Sequence, residues 1–413
     1  MVNQSRLLQR FLRYVQIDTT AVDDVDRYPS SEGQMELGAL LVRELLSCGI
    51  ADAAQDDNGI VTATIPANNG ASGPMVAFNA HLDTSPETTG RDVKPQVINA
   101  YQGGDILLSG NPANVIRVAE NPALESLRGC TLVTSDGSTL LGGDDKAGIA
   151  AIMELADTLF EHPDIIHGPI RILFTCDEEI GRGVDFVDVA ALQATAAYTL
   201  DGPGVNQIDV ETFSADMATI TVQGVNIHPS IGKDRMVNAV RAAAEFVARM
   251  PQNRLAPETT DGRQGFQHPY RIEGGVADAT IHVLLRDFET EALKDYADDL
   301  RQLAKEVEAT IAGCSIAVDI RPQYRNMREG LSEEPRAVEF ARIAHEQLGR
   351  QPQLTIIRGG TDGSQLTAKG LPTPNLSVGQ HNPHSPLEWA CLDEMVQATS
   401  LLVELVQVWA EKG

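Results

Sequence analysis

The sequence predicts an α/β fold: a sheet with crossover helices, interrupted by an inserted α+β module. Three observations carry this. At 413 residues the chain exceeds the size at which single cores stop growing, so two domains are expected. In the first half, short β-branched runs bounded by Gly, Pro or Asn surround an alanine-rich helical run, which reads as β, α, β. Beyond about residue 212 the texture changes to alternating strands and a long amphipathic helix.

Taken in order, MVNQSRLLQRFLRYVQIDTT has helical amphipathicity but neither the apolar run nor the cleavage site of a signal peptide. Ser31 with Gln34 predicts a capping box, followed by a helix with Leu37, Leu40, Leu41 and Leu45 on one face until Gly49 stops it. GIVTATIPA, PMVAFNAHLDT, CTLVTSDGSTLLG and GPIRILFTCDEE predict strands, and DDKAGIAAIMELADTLF predicts a helix between the last two. Within residues 212–325, ATITVQGV and ATIHVLLRDF predict strands, and Leu293, Tyr296, Leu300, Leu303 and Val307 mark one face of a long helix. The expected order there is strand, helix, strand, helix, strand. A helix through Ala337, Phe340, Ala341, Ala344 and Leu348, ended by Gly349, and a last helix through Leu401, Leu405 and Trp409 return to the first architecture. The expected boundaries are a first domain over 1–211 and 326–413, with the insert over 212–325 between.

The 32 basic and 58 acidic side chains leave a net charge of −26. Such a surface repels phosphate backbones and anionic lipid, which argues against nucleic-acid and membrane partners and favours cations. No stretch approaches the roughly 18 apolar residues of a membrane span. Five scattered cysteines without a CxxC pair predict a reducing, cytoplasmic setting and no structural thiolate zinc site.

Four stretches place acid or imidazole groups just after an apolar run: His81 and Asp83 in FNAHLDTS, Asp144 and Asp145 in LLGGDDKAG, Glu178 and Glu179 in TCDEEIG, and Asp201 in TLDGPG. In open α/β sheets, ligands bind outside the carboxyl ends of strands, so these groups are placed to converge. A fifth stretch, VGQHNPHSPLEW, offers His381 and His384. Imidazole with carboxylate suits Zn²⁺ or Mn²⁺. His81 and Asp83, two apart, face the same way, whereas the adjacent Glu178 and Glu179 point apart, so one can bind metal while the other acts as a base. Each group also has an ordinary reading: a strand-end His satisfied by a hydrogen bond, or an acidic pair complementing a helix dipole. The residues alone leave both open.

The order HLDT, GGDDKAGIA, DEEIGRG, YTLDG, IHPS, RGGTDG and a late His resembles the di-zinc exopeptidase family that includes carboxypeptidase G2-like enzymes and aminoacylases. YPSSEGQ, YQGGDI, VNIHPSIGKDRMVNA, RNMRE and IRGGTDGSQL extend the likeness over nearly the whole chain, closest to the tripeptide aminopeptidases of that family. The resemblance implies a catalytic domain with a mixed central sheet flanked by helices, and an inserted lid or dimerisation domain through which relatives often form homodimers. It implies two Zn²⁺ per subunit, with Mn²⁺ or Co²⁺ as substitutes. His81 and Asp201 would hold one ion, Glu179 and His384 the other, and Asp144 would bridge both. Asp83 would orient His81, and Glu178 would be the general base for a metal-activated water. His228, Asn326 and Arg358, with Arg328 nearby, would meet a short peptide substrate. The implied activity is release of the N-terminal residue from tripeptides; the alternative is a related amidohydrolase acting on dipeptides or N-acyl amino acids. The chain departs from the family pattern at Pro203 and Cys176, and in carrying His381 three residues before His384, which is chosen for its spacing to Glu388.

Overall fold

The computed structural model describes residues 2–71 and 73–413. They divide into two compact units. One runs to Val210 and resumes over Met327–Thr355 and Thr361–Gly413; the other is Glu211–Asn326 with Ile356–Gly360. The expected insert, 212–325, has no counterpart for that short second piece. It joins because the Phe213 N–H donates to Ile357 O and Gly359 O at 3.1 and 3.2 Å, and Ile356 packs with Phe213, Phe266 and Phe288.

The first unit is built on a mixed sheet. Its middle strands run in the order Ile170–Thr175, Val76–His81, Ala196–Pro203, Asn375–His381, each parallel to the next, and antiparallel strands flank them. The helix Gly143–Glu161 packs on these strands and is itself covered by the helices Gln4–Tyr14, Glu32–Cys48 and Leu392–Lys412. Covered on every side, it is buried nearly throughout, hence its alanines and its lack of a polar face. Among the described residues no helix is long and apolar enough to cross a membrane.

The helix Glu32–Cys48 ends at Gly49, whose φ of 105° suits glycine. The expected capping box does not form: Ser31 makes no side-chain cap bond. Gln34 turns inward instead, its Nε2 donating to Asp177 Oδ1 at 2.7 Å and its Oε1 accepting the Asp177 N–H at 2.9 Å. A buried carboxylate is a stronger partner than the helix's own first turn.

The second unit is a four-stranded antiparallel sheet in the order Phe266–Gly274, Asp278–Asp287, Ser214–Gln223, Ser315–Tyr324, sharing a core with the helices Ala239–Arg249 and Thr290–Thr310. The strand Phe266–Gly274 is absent from the sequence expectation. It lies at the edge, carries Pro269 and leaves Tyr270 and Ile272 exposed, so its alternation does not read as half-buried.

Candidate metal centre

Parallel strands bring their carboxyl ends to one edge of the sheet, and there the acid and imidazole groups gather. His81 is the last residue of its strand and stands opposite Thr175, after which the chain turns into Asp177, Glu178 and Glu179. Asp201 lies near the end of Ala196–Pro203, and Asn375–His381 leads into the loop bearing His384. Asp144 and Asp145 precede the regular helix: their backbones are non-helical (φ −81°, ψ 104° and φ −119°, ψ 33°). The dipole reading of this pair therefore gives way to a turn that aims both carboxylates inward.

Asp144 is the junction. Its Oδ1 lies 2.9 Å from His81 Nε2, and that nitrogen is 3.9 Å from Asp201 Oδ1. Its Oδ2 lies 3.5 Å from His384 Nε2, which is 2.9 Å from Glu179 Oε2. Two three-donor groups result, His81 with Asp144 and Asp201, and Asp144 with Glu179 and His384; within each, the donor atoms all lie within 4.8 Å of one another. His81 Nδ1 faces Asp83, 3.1 Å from its carbonyl oxygen and 3.4 Å from Oδ1. The Asp83 carboxylate is fixed in turn by the N–H groups of Glu178 and Glu179, each at 3.0 Å. This places the Nδ1 proton toward Asp83 and turns Nε2 to the acid cluster.

The three consecutive carboxylates have separate fates. Asp177 is structural, accepting the Ser30 N–H at 2.7 Å, the Ser30 hydroxyl at 2.5 Å and Gln34. Glu179 joins the second donor group. Burial pushes the Glu178 carboxyl well above its ordinary range; Asp201, Asp362 and Glu179 add to this, and His81 opposes it.

The same field acts throughout. Burial, then Asp144, pushes Glu179 up to about 7 and Asp201 well above the carboxylate range. Burial works against charge on both imidazoles, yet hydrogen bonds to Asp144 and Asp83 raise His81 well above its usual value, and those to Asp144 and Glu179 raise His384 to about 11. Burial would raise Asp144 as well, but the bonds from His384 and His81 hold it low. So much buried negative charge calls for positive charge at its centre. Glu179 Oε1 is buried with no hydrogen-bond partner among the described residues. Nitrogen and oxygen donors in two groups sharing a carboxylate, with one oxygen unsatisfied, fit a pair of divalent cations.

Residues to which the sequence assigned no separate role support these groups from behind. Glu388, there only a spacing marker, is buried; its Oε2 accepts the N–H groups of Leu141 and Gly142 at 2.7 Å and its Oε1 that of Asp144 at 3.0 Å. Asp145 accepts the His81 N–H at 3.2 Å and the Gly148 N–H at 3.1 Å. Asp362, bonded to Thr175 and, at 3.0 Å, to Asn79, is the last acid near Glu178; its only sequence signal is its place in GGTDG. His381 stays outside both groups: its Nε2 is 2.7 Å from Glu394 and its ring stacks on Trp389 at 3.7 Å. Cys176 is buried and its thiol is pushed well up by burial, which removes the reactivity its position near the acids suggests.

The three expected substrate residues lie in the second unit, each with partners there. His228 is exposed, Nδ1 2.6 Å from Ser230 Oγ in its own turn. Asn326 donates to Phe288 O at 3.0 Å and accepts the Thr212 N–H at 3.3 Å. Arg358 donates to the carbonyls of Gly262, Gln264 and Thr260 and lies over the Phe213 and Phe266 rings.

Residues 140–408 match the model of Peptidase family M20/M25/M40. The chain belongs to that family. Over its full length this M20 chain is 41% identical to Peptidase T of Geobacillus thermodenitrificans (strain NG80-2), covering 99% of both chains. It is 41% identical to Peptidase T of Bacillus subtilis (strain 168), covering 98% of both. Among solved structures it is similar to aminopeptidase PepT from Bacillus cereus ATCC 10987, with a TM-score of 0.76 at 23% identity and 99% coverage of both chains. It is also similar to the Bacillus subtilis YXEP protein, described as a dinuclear metal binding peptidase from the M20 family, with a TM-score of 0.67 at 17% identity and 99% coverage of both. At those identities the structures speak for the M20 fold.

Proposed function

We propose that this chain is a metal-dependent aminopeptidase that releases the N-terminal residue from tripeptides, working with two divalent cations, zinc in preference to manganese or cobalt. The observation that carries the reading is Asp144 standing between His81 with Asp201 and His384 with Glu179. Full-length similarity to proteins named Peptidase T supports the substrate class. The five free cysteines support a cytoplasmic setting.

Bound cations would supply Lewis acidity toward the scissile carbonyl and lower the pKa of water. The chain's own residues do the rest. Asp83 holds His81 in the tautomer whose Nε2 lone pair faces the cluster, and Glu388 fixes the turn carrying Asp144. Glu178, anchored through its N–H to Asp83, takes a proton from the attacking water and passes it to the leaving nitrogen. Burial raises its carboxyl well above the ordinary range, which favours its holding the proton between the two halves of that transfer. His228 is assigned to the substrate carbonyl oxygen, and Asn326 with Arg358 to the peptide terminus. A peptide carboxylate at Arg358 has to replace the carbonyls of Thr260, Gly262 and Gln264.

Zinc-loaded protein is expected to release the first residue of Met-Gly-Gly, to stop on chelation and to resume when zinc returns. Glu178→Ala should slow the reaction about 100-fold or more. Equal rates for the variant and the wild type would refute the assignment. Hydrolysis of N-blocked tripeptides or N-acyl amino acids in preference to free tripeptides would move it to the related amidohydrolases.

A further inference from the structure

Away from the Asp144 cluster, the strands Leu132–Thr134 and Trp389–Cys391 pair antiparallel, with Leu132 opposite Cys391. The Leu392 N–H continues the ladder to Thr131 O at 2.9 Å. Cys130, two residues before Leu132, thus comes diagonally across from Cys391 on the same face. Asp393, two residues beyond Cys391, turns its carboxylate back onto the Thr131 N–H at 2.7 Å. Cys130 Sγ, Cys391 Sγ and an Asp393 oxygen consequently lie within 4.8 Å of one another.

We propose that Cys130, Cys391 and Asp393 form a second cation site, one that takes thiophilic divalent ions such as Zn²⁺ and Cd²⁺ and differs in donor type from the sulfur-free Asp144 cluster. Two thiolates and a carboxylate supply three of the four ligands of a tetrahedral ion, and solvent supplies the fourth. Cys391 is fully buried while Cys130 is half-buried, so the open position and the entry path lie on the Cys130 side. With Zn–S bonds of about 2.3 Å, tetrahedral sulfurs stand about 3.8 Å apart, so the donors need close by no more than about 1 Å. Burial, with Asp393 beside Cys130 and Glu394 beside Cys391, keeps both thiols protonated at neutral pH. Binding therefore exchanges two thiol protons for one divalent ion, both protons leaving to solvent and no group changing oxidation state. The sequence offers no CxxC here because the two sulfurs come from strands far apart in the chain.

Cadmium tests this on the full-length, reduced protein. Thiolate-to-Cd²⁺ charge transfer absorbs in the ultraviolet, and the nitrogen and oxygen donors around Asp144 cannot produce it. The band is expected to appear in the wild type, to saturate at one Cd²⁺ per chain, and to vanish in Cys130→Ser. Cys391 is wholly buried, so Asp393→Asn serves as the second variant, with both thiols intact and Cd²⁺ affinity at the band expected to fall about 10-fold. Alkylation of Cys130 should slow when Zn²⁺ is added. No band, an undiminished band in Cys130→Ser, or a Cys130–Cys391 disulfide in protein purified under reductant would each overturn the proposal.

Discussion

Glu388→Gln separates the stability of the fold from the geometry of the centre. The best amide orientation keeps its oxygen on the Leu141 and Gly142 N–H groups and turns its NH₂ against the Asp144 N–H, so one of three bonds is lost. Losing a charge-assisted bond costs about 1.5–3 kcal/mol, and the stranded Asp144 donor about 1–3 kcal/mol more. An opposing effect comes from removing a buried charge. Burial, with Asp144 adding to it, raises this carboxyl from 4.5 to about 7, so the ionised form costs the fold about 3 kcal/mol above pH 7. The two nearly offset, leaving a net loss of about 0–3 kcal/mol at pH 8. Nothing offsets the loosened Asp144, so affinity for divalent cations should fall about 10- to 100-fold. Urea unfolding measures the first quantity and zinc competition against a fluorescent chelator the second. A variant with wild-type zinc affinity would refute the reasoning, because Asp144 would then be placed without Glu388.

Two further outcomes test other parts of the structure. His345 is buried, neither ring nitrogen has a partner among the described residues, and burial followed by Arg350 lowers its pKa to about 4. The unfolded chain takes up this proton from about pH 6.5 downward while the folded chain refuses it until about 4, so stability should drop across that window by about 3 kcal/mol. His345→Leu should flatten that part of the pH profile and raise neutral stability by about 1 kcal/mol, and an unchanged slope in urea titrations at several pH values counts against this account. In Gly183→Ala the new Cβ would stand 1.9 Å from Asp362 Oδ1, while Thr175 and Asn79 hold the other oxygen. A loss of about 1–3 kcal/mol by thermal melting, with slower tripeptide hydrolysis, is expected; wild-type behaviour would mean that Asp362 moves freely.

What the sequence determined by itself was local: which runs are strands, which are helices, and that His81, Asp201 and the Glu178–Glu179 pair stand at strand ends. Alternation and helical spacing are short-range patterns, legible within a window of several residues. They fail where burial does not alternate, as in the edge strand Phe266–Gly274, and where a distant partner reshapes a local motif, as when Gln34 pairs with Asp177 and keeps only a side-chain bond to Ser31 Oγ in place of the capping box. Resemblance to a family carried the reading further, to Asp144 as the shared carboxylate. The resemblance also favoured His384 over His381, and only the tertiary structure decided that His381 turns to Glu394, that Glu388 anchors Asp144, that Arg358 is already held by backbone carbonyls, and that Cys130 meets Cys391. Each depends on sheet order and on which buried groups must find partners, and those demands join residues hundreds of positions apart that no local pattern connects.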